Sequence, residues 1–258
     1  MIEAKNLFKS FNDRPVLEDV NMQIEEGETF AIIGRSGSGK SVLMKHLIGL
    51  LKPDSGEILI DGVDINKLDY RALRTVRRQF GVLFQGGALF DSMTSFENVA
   101  FPLATFTDKK PAEIARVVHE CLEMVELEDV GNKMPSELSG GMKKRVALAR
   151  AIALRPKYIF YDEPNTGLDP ETSNTIDALI SGLSDRLNVT SIVVTHDMHS
   201  VLSIADRAAF IHQGTIRWIG TVEELHASTD DVLLDFVKAH EYQIGGPRTS
   251  VATNPPSY

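Results

Sequence analysis

The sequence predicts an α/β fold in which helices cover a mostly parallel sheet. Short apolar runs typical of buried strands alternate with segments of helical periodicity, and a glycine-rich loop joins one such run to the helix that follows. Strand signals disappear over about residues 86–157, where we expect a helical insertion. Strands that alternate with helices pair in parallel, because each helix carries the chain back to the starting edge of the sheet.

The first third of the chain contains strands, one turn-bounded helix and the glycine-rich loop. Residues 2–24 alternate apolar and polar side chains in the period of half-buried strands, and residues 29–33 form a continuous apolar run. A helical pattern covers residues 42–51 and ends in turn-forming residues that include Pro53. A basic helix is predicted over residues 69–79.

The remaining elements follow the same alternation. An amphipathic helix over 113–127 carries Cys121, and another helix is predicted over about 141–154. A capping box, Thr221 to Glu224, predicts a further helix near the end. The predicted strands of this part are residues 80–84, 158–161, 191–195 and 208–212, with a helix at about 171–187.

Composition narrows the possible partners. The chain has 258 residues, of which 43% are hydrophobic, and its 27 basic and 36 acidic residues give a net charge of −9. Such an acidic chain is a poor partner for nucleic acid. The single cysteine excludes an intrachain disulfide. No run of 18 apolar residues occurs, so we expect a partner to hold the chain at any membrane where it works. Residues 241–258 are expected to be a flexible tail.

A complete phosphate-binding motif follows the apolar run at 29–33. The pattern G-x-x-x-x-G-K-[ST] is met by Gly34, Arg35, Ser36, Gly37, Ser38, Gly39, Lys40 and Ser41. Glycines let successive backbone N–H groups turn toward phosphate oxygens, and the next helix directs its positive end to the same place. Lys40 would reach the β- and γ-phosphates, and the Ser41 hydroxyl would coordinate Mg²⁺.

Two weaker signals accompany the loop. Asp162 and Glu163 end a mostly apolar strand, where Asp162 would hold the Mg²⁺ shell and Glu163 would act as general base on an attacking water. Ser139, Gly140 and Gly141 begin a helix. Their chemistry alone is compatible with an anion site or with an ordinary N-cap.

In their order, these motifs resemble the ATPases of ABC transporters over nearly the whole chain. Residues 138–142 resemble the family signature LSGGQ, with Met142 in place of the usual glutamine. The resemblance implies a P-loop NTPase of ABC type, with a RecA-like core, an antiparallel β subdomain and an inserted helical subdomain. Residues 1–240 would form this ATPase domain.

The resemblance also implies further site residues. Gln85 matches the Q-loop glutamine near the metal, Asp169 the D-loop aspartate, and His196 the H-loop histidine at the γ-phosphate. Phe11 stands where the family stacks an aromatic ring on adenine, with Val16 beside it. ATP and Mg²⁺ would be bound between two copies of the chain, arranged head to tail, so that one copy's signature faces the other copy's phosphate loop.

Other segments resemble the ATPases of the Mla (maintenance of lipid asymmetry) branch. They are the ELSGGM signature, the stretches at 84–94 and 97–103, and residues 202–206. This likeness implies integral-membrane permease subunits, an MCE-type lipid-binding subunit, and phospholipid transport from the cytoplasmic face of the bacterial inner membrane. Leu89, Phe90, Met93 and Phe96 either line a groove for a permease helix or only pack the helical insertion. The basic positions of residues 71–78 and 143–145 either face a membrane or an acidic patch of a partner, or form solvated helix faces, which is the expectation here.

Three other functions remain open at this point. A small-solute importer, for example of an amino acid, would use the same ATP chemistry. A soluble ABC module of DNA repair or translation would carry a long coiled-coil insertion or two tandem ATPase units, for which this chain is too short. A P-loop kinase would give residues 138–141 no role.

Overall fold

The computed structural model describes residues 1–241, whose strands form two sheets. The strands are β1 (Ile2–Phe11), β2 (Arg14–Ile24), β3 (Thr29–Ile33), β4 (Ser55–Ile60), β5 (Val63–Asp64), β6 (Phe80–Leu83), β7 (Tyr158–Asp162), β8 (Thr190–Thr195), β9 (Arg207–His212) and β10 (Thr215–Thr221). The helices are α1 (Lys40–Leu47), α2 (Tyr70–Arg77), α3 (Ser95–Phe106), α4 (Pro111–Met124), α5 (Gly140–Ile152), α6 (Pro170–Leu187), α7 (Met198–Ile204), α8 (Val222–His226) and α9 (Asp231–Glu241).

The larger sheet is mostly parallel, which confirms the predicted fold class. Its order is β10-β9-β3-β8-β7-β6, and only the β10–β9 pair is antiparallel. Every residue of β3 and β8 is buried, which explains their continuous apolar runs. The smaller sheet, β2-β1-β4-β5, is antiparallel throughout, as the family resemblance implied.

The segment between β6 and β7 holds α3, α4 and α5 and no strand, all within the described residues. Its helices pack around Val99, Val118 and Val146. Cys121 lies in this core with 1% of its surface exposed, and burial raises the pKa of its thiol to about 11. The thiol is therefore a small apolar core group.

Two expectations about helices are wrong. The helical pattern over 42–51 ends early, because Gly49 adopts a left-handed conformation at φ +69° and stops α1 at Leu47. Leu50, predicted to lie on the helix, is half exposed. Lys144, predicted to lie on a solvated face, is buried with 5% of its surface exposed.

No helix within residues 1–241 is both long and apolar enough to span a bilayer. The capping box at Thr221 forms as predicted, with both reciprocal hydrogen bonds to Glu224. The predicted flexible tail, 241–258, lies outside the described residues apart from its first residue, which ends α9.

Candidate functional site

The phosphate loop leaves the carboxyl end of β3, a central strand, and enters α1. Two of its glycines are required by close packing. A Cβ on Gly34 would overlap the carbonyl oxygen of Ile211, and one on Gly39 would lie 3.0 Å from the carbonyl oxygen of Val16. Gly39 also has φ +108°, which L-residues with side chains rarely adopt. The loop can therefore take this path only with glycine at both positions.

Lys40 begins α1 with its side chain turned back over the loop. Its ammonium donates to the carbonyl oxygens of Gly34 (2.9 Å) and Arg35 (3.3 Å), and lies 3.7 Å from Glu163 Oε1. Burial lowers the pKa of Lys40, and the charges of Glu163 and Asp162 oppose that shift. The loop also contains a buried Ser38 hydroxyl without a hydrogen-bond partner among the described residues. A donor of this kind fits a phosphate oxygen.

Ser41 and Asp162 bring two oxygen ligands together. The Ser41 hydroxyl donates to Asp162 Oδ1 at 3.2 Å. Burial raises the pKa of Asp162, and the Ser41 hydrogen bond opposes this. Within residues 1–241 no three His, Cys, Asp or Glu side chains group as a metal cage. A hydroxyl and one carboxylate fit Mg²⁺, which usually takes few protein ligands beside phosphate and water.

Glu163 follows β7 in a left-handed backbone conformation, φ +48°, and its N–H donates to the carbonyl oxygen of Val194 at 2.8 Å. His196 Nδ1 donates to Glu163 Oε2 at 2.8 Å, and the Thr166 hydroxyl donates to the same oxygen at 3.5 Å. The carboxylate thus stands between Lys40 on one side and His196 on the other. These contacts hold the Glu163 carboxylate in one orientation.

Lys40, Ser41, Glu163 and His196 line a pocket of about 570 Å³, whereas Gly34, Ser38 and Asp162 are not part of its lining. Its lining residues are Val16, Arg35, Ser36, Gly37, Gly39, Lys40, Ser41, Val42, Gln85, Glu163, Thr166, His196 and Ala239. Ten of the thirteen were predicted from the sequence. Val42, Thr166 and Ala239 were not. Thr166 could have been found from its place three residues after Glu163. Nothing in the sequence pattern connects Ala239, on α9, to the loop.

Phe11 does not line this pocket. It ends β1, and its exposed ring lies 5.3 Å from the Lys9 ammonium. The predicted adenine platform is therefore an exposed aromatic ring outside the pocket, with only Val16 of the pair in the lining.

The signature and the D-loop aspartate form one surface, also outside this pocket. The Ser139 hydroxyl accepts from the N–H of Met142 (3.2 Å), so the ordinary N-cap is present. Asp169 caps α6 by accepting from the N–H of Thr172 (3.0 Å). A Cβ on Gly141 would lie 2.5 Å from Thr172 Cγ2, so α5 and α6 begin in close contact. Ser139, Gly140 and Asp169 are exposed.

A second pocket, of about 670 Å³, lies where α2, α3 and α5 meet. It is lined by aromatic side chains and four arginines: Tyr70, Phe84, Phe90, Phe101, Phe106, Arg74, Arg77, Arg78 and Arg150. Of the four apolar residues predicted to line a groove, only Phe90 does so. Leu89 and Phe96 pack against the helical core. We call this pocket the aromatic–arginine groove.

A glycine-rich loop between a central parallel strand and its helix, with a carboxylate at the end of β7, which β8 separates from β3 in the same sheet, defines a P-loop NTPase. A family model described as "ABC transporter" matches residues 17–166. The chain belongs to the ABC transporter family and is an ATPase of that family.

Individual relatives and a solved structure are also ATP-binding proteins of this kind. The chain is 47% identical over 238 residues to the intermembrane phospholipid transport system ATP-binding protein MlaF of Haemophilus influenzae, covering 92% of this chain and 90% of that one. It is 42% identical to a probable ribonucleotide transport ATP-binding protein of Mycobacterium leprae, covering 92% and 68% of the two chains. A solved ATP-binding cassette, dimeric in a post-hydrolysis state with ADP and Pi, matches with TM-score 0.79 and 35% identity, covering 86% and 99%.

Proposed function

We propose that the pocket binds ATP through the phosphate loop and hydrolyses it with Glu163 as general base. Backbone N–H groups of residues 34–41 and the Lys40 ammonium would hold the phosphates, because both are donors for phosphate oxygens and most of these residues line the pocket. Ser41 and Asp162 would hold Mg²⁺, with Gln85 approaching it from the pocket wall. The ion would neutralise phosphate charge when bound.

The position of Glu163 carries this proposal. Its carboxylate is 2.8 Å from His196 and 3.7 Å from Lys40, so it faces the place where Lys40 would hold the terminal phosphate. A carboxylate there accepts a proton from an attacking water. His196 keeps the carboxylate in that orientation and lies at the pocket wall, near the same phosphate.

The complete site needs a second copy of the chain. Ser139, Gly140 and Asp169 are exposed on one surface, with Gly141 packed beneath it against Thr172, and none of the four lines its own chain's pocket. In a head-to-tail dimer this surface of one copy would close over the nucleotide of the other. ATP would then favour the closed dimer, and loss of the terminal phosphate would release it.

The transport role is phospholipid movement between the inner and outer membrane of a bacterium. The identity with a phospholipid transport ATPase over nine tenths of both chains supports this proposal. The aromatic–arginine groove would receive a cytoplasmic helix of an integral-membrane permease, which would keep the chain at the cytoplasmic face of the inner membrane. Residues 86–157 would then act as the helical subdomain that contacts the permease. An MCE-type subunit would carry the lipid.

Affinity purification of the tagged chain from detergent-extracted membranes tests the transport role. We expect a permease and an MCE-type protein to co-purify. The matched control is Phe101→Glu, which alters an exposed ring of the groove and should lose the permease while keeping ATP binding. Co-purification of a periplasmic binding-protein importer instead would overturn the lipid proposal and favour the small-solute alternative, which the ribonucleotide relative keeps open.

A further inference from the structure

Lys144 is a buried lysine that the proposed hydrolysis does not use. It lies on α5, with 5% of its surface exposed. Its ammonium donates to the carbonyl oxygen of Gln85 and, at 3.4 Å, to that of Glu163. Burying a lysine is unfavourable unless its charge finds partners. Burial lowers the pKa of Lys144, and the negative charges of Asp162 and Glu163 oppose that shift.

The two carbonyl groups belong to residues whose side chains frame the reacting end of the pocket. Gln85 and Glu163 both line it, whereas Lys144 does not. Lys144 therefore reaches these residues only from behind, through their main chain. Glu163 is also the residue held at φ +48°, a conformation that the surrounding structure must maintain.

A second cation of α5 holds the same segment. The Arg150 guanidinium donates to the carbonyl oxygens of Gly87 (2.8 Å) and Ala88 (2.7 Å). Helix α5 thus fixes the backbone of residues 85–88 at two places. Of the two, only Lys144 also donates to Glu163.

We propose that Lys144 is a positioning residue for hydrolysis: its buried ammonium fixes the main chain of Gln85 and Glu163, so that both side chains point into the nucleotide pocket. Because α5 begins at the signature, Lys144 also connects the surface that would face the partner's nucleotide with the chain's own Glu163. The inference rests on the proposed role of Glu163. It predicts an effect on turnover rather than on ATP binding.

The test is Lys144→Met in the full chain, purified with the membrane subunits that accompany it. Methionine keeps the apolar stem and removes the ammonium. We expect kcat to fall about tenfold or more while the ATP dissociation constant stays within about twofold. Lys144→Gln can still donate to a carbonyl group, so its kcat should be at least about threefold higher than that of Lys144→Met. The matched control is Lys143→Met, a half-buried neighbour on the same helix, which should keep kcat within about twofold.

Two results would overturn the inference. One is a normal kcat for Lys144→Met. The other is a joint loss of ATP binding, melting temperature and kcat that Lys144→Gln does not relieve, since that is the behaviour of a packing residue. Glu163→Gln separates the two proposals. If Glu163→Gln still hydrolyses ATP, the site assignment is wrong; if it is inactive and Lys144→Met is normal, only the role of Lys144 is wrong.

Discussion

Replacing Glu163 with glutamine removes one charge and keeps the shape of the side chain. Loss of a general base lowers rates by about 10²- to 10⁴-fold, or about 3 to 5 kcal/mol in the barrier. Binding should respond in the opposite direction. Glu163 Oε1 lies 3.7 Å from Lys40 Nζ, and a phosphate oxygen bonded to that ammonium would lie about 6 Å from the carboxylate.

At that distance two unit charges repel by about 3 kcal/mol at an effective dielectric constant of ~20. Both side chains are mostly buried, so solvent screens this repulsion only partly. Relief of half of it would raise ATP affinity about tenfold. We therefore expect Glu163→Gln to bind ATP as tightly as the parent chain or more tightly, to release almost no phosphate, and to accumulate as a dimer.

Hydrolysis is measured as phosphate release at saturating ATP. Equilibrium dialysis with labelled ATP measures the affinity, and light scattering measures the mass of the dimer. Glu223→Gln, an exposed glutamate on α8, is the matched control and should behave as the parent. A Glu163→Gln chain that keeps more than about a tenth of the parent rate would refute the general-base role. So would a loss of ATP binding, since the substitution would then act on the pocket rather than on the reaction.

Three further outcomes are expected. Lys40→Ala removes the charged donor from the phosphate loop and should weaken ATP binding at least about 30-fold, from about 2 kcal/mol for charge-assisted hydrogen bonds, as measured by dialysis. His196→Ala should slow phosphate release about tenfold or more with ATP affinity within about twofold, because Glu163 loses its orienting partner. Burial raises the pKa of Asp177, which is 4% exposed and accepts a hydrogen bond from Asn165. When the pH exceeds the ordinary pKa of an aspartate, the carboxyl of Asp177 ionises in the unfolded chain but resists ionisation in the folded one. The folded state is therefore destabilised as the pH rises from the unfolded pKa toward the folded pKa. Asp177→Asn should therefore melt higher, relative to the parent, at pH 7 than at pH 4, and equal differences at both values would contradict this reasoning.

The sequence was sufficient where a motif determines its own local geometry. The loop at 34–41 needs glycine to curve and Lys40 to follow it, so the residues proposed to bind phosphate are adjacent in the chain. Asp162 and Glu163 could be assigned, with their roles, because adjacent carboxylates end a mostly apolar strand, where both can be directed into one pocket. His196, Gln85 and Asp169 were found only through the resemblance to a family.

Contacts between distant elements could not be predicted in this way. Ala239 reaches the pocket from α9, and Lys144 reaches Gln85 across 59 positions of sequence. A lysine in a basic run usually indicates a solvated face, whereas the packing of α5 against Gln85 and Glu163 buries this one. Phe11, matched by family pattern, lies outside the pocket lining, and its stacking on adenine stays a prediction.

The buried Cys121 can report local opening of the helical segment between β6 and β7. A thiol with its pKa near 11 and almost no contact with water scarcely reacts with alkylating reagents at neutral pH. Alkylation would therefore require α4 to separate from its neighbours. The rate of Cys121 labelling would report how often this local opening occurs. Because the sequence has no other cysteine, the native chain already carries a single-site probe, and a cysteine introduced elsewhere could be derivatised against a silent background.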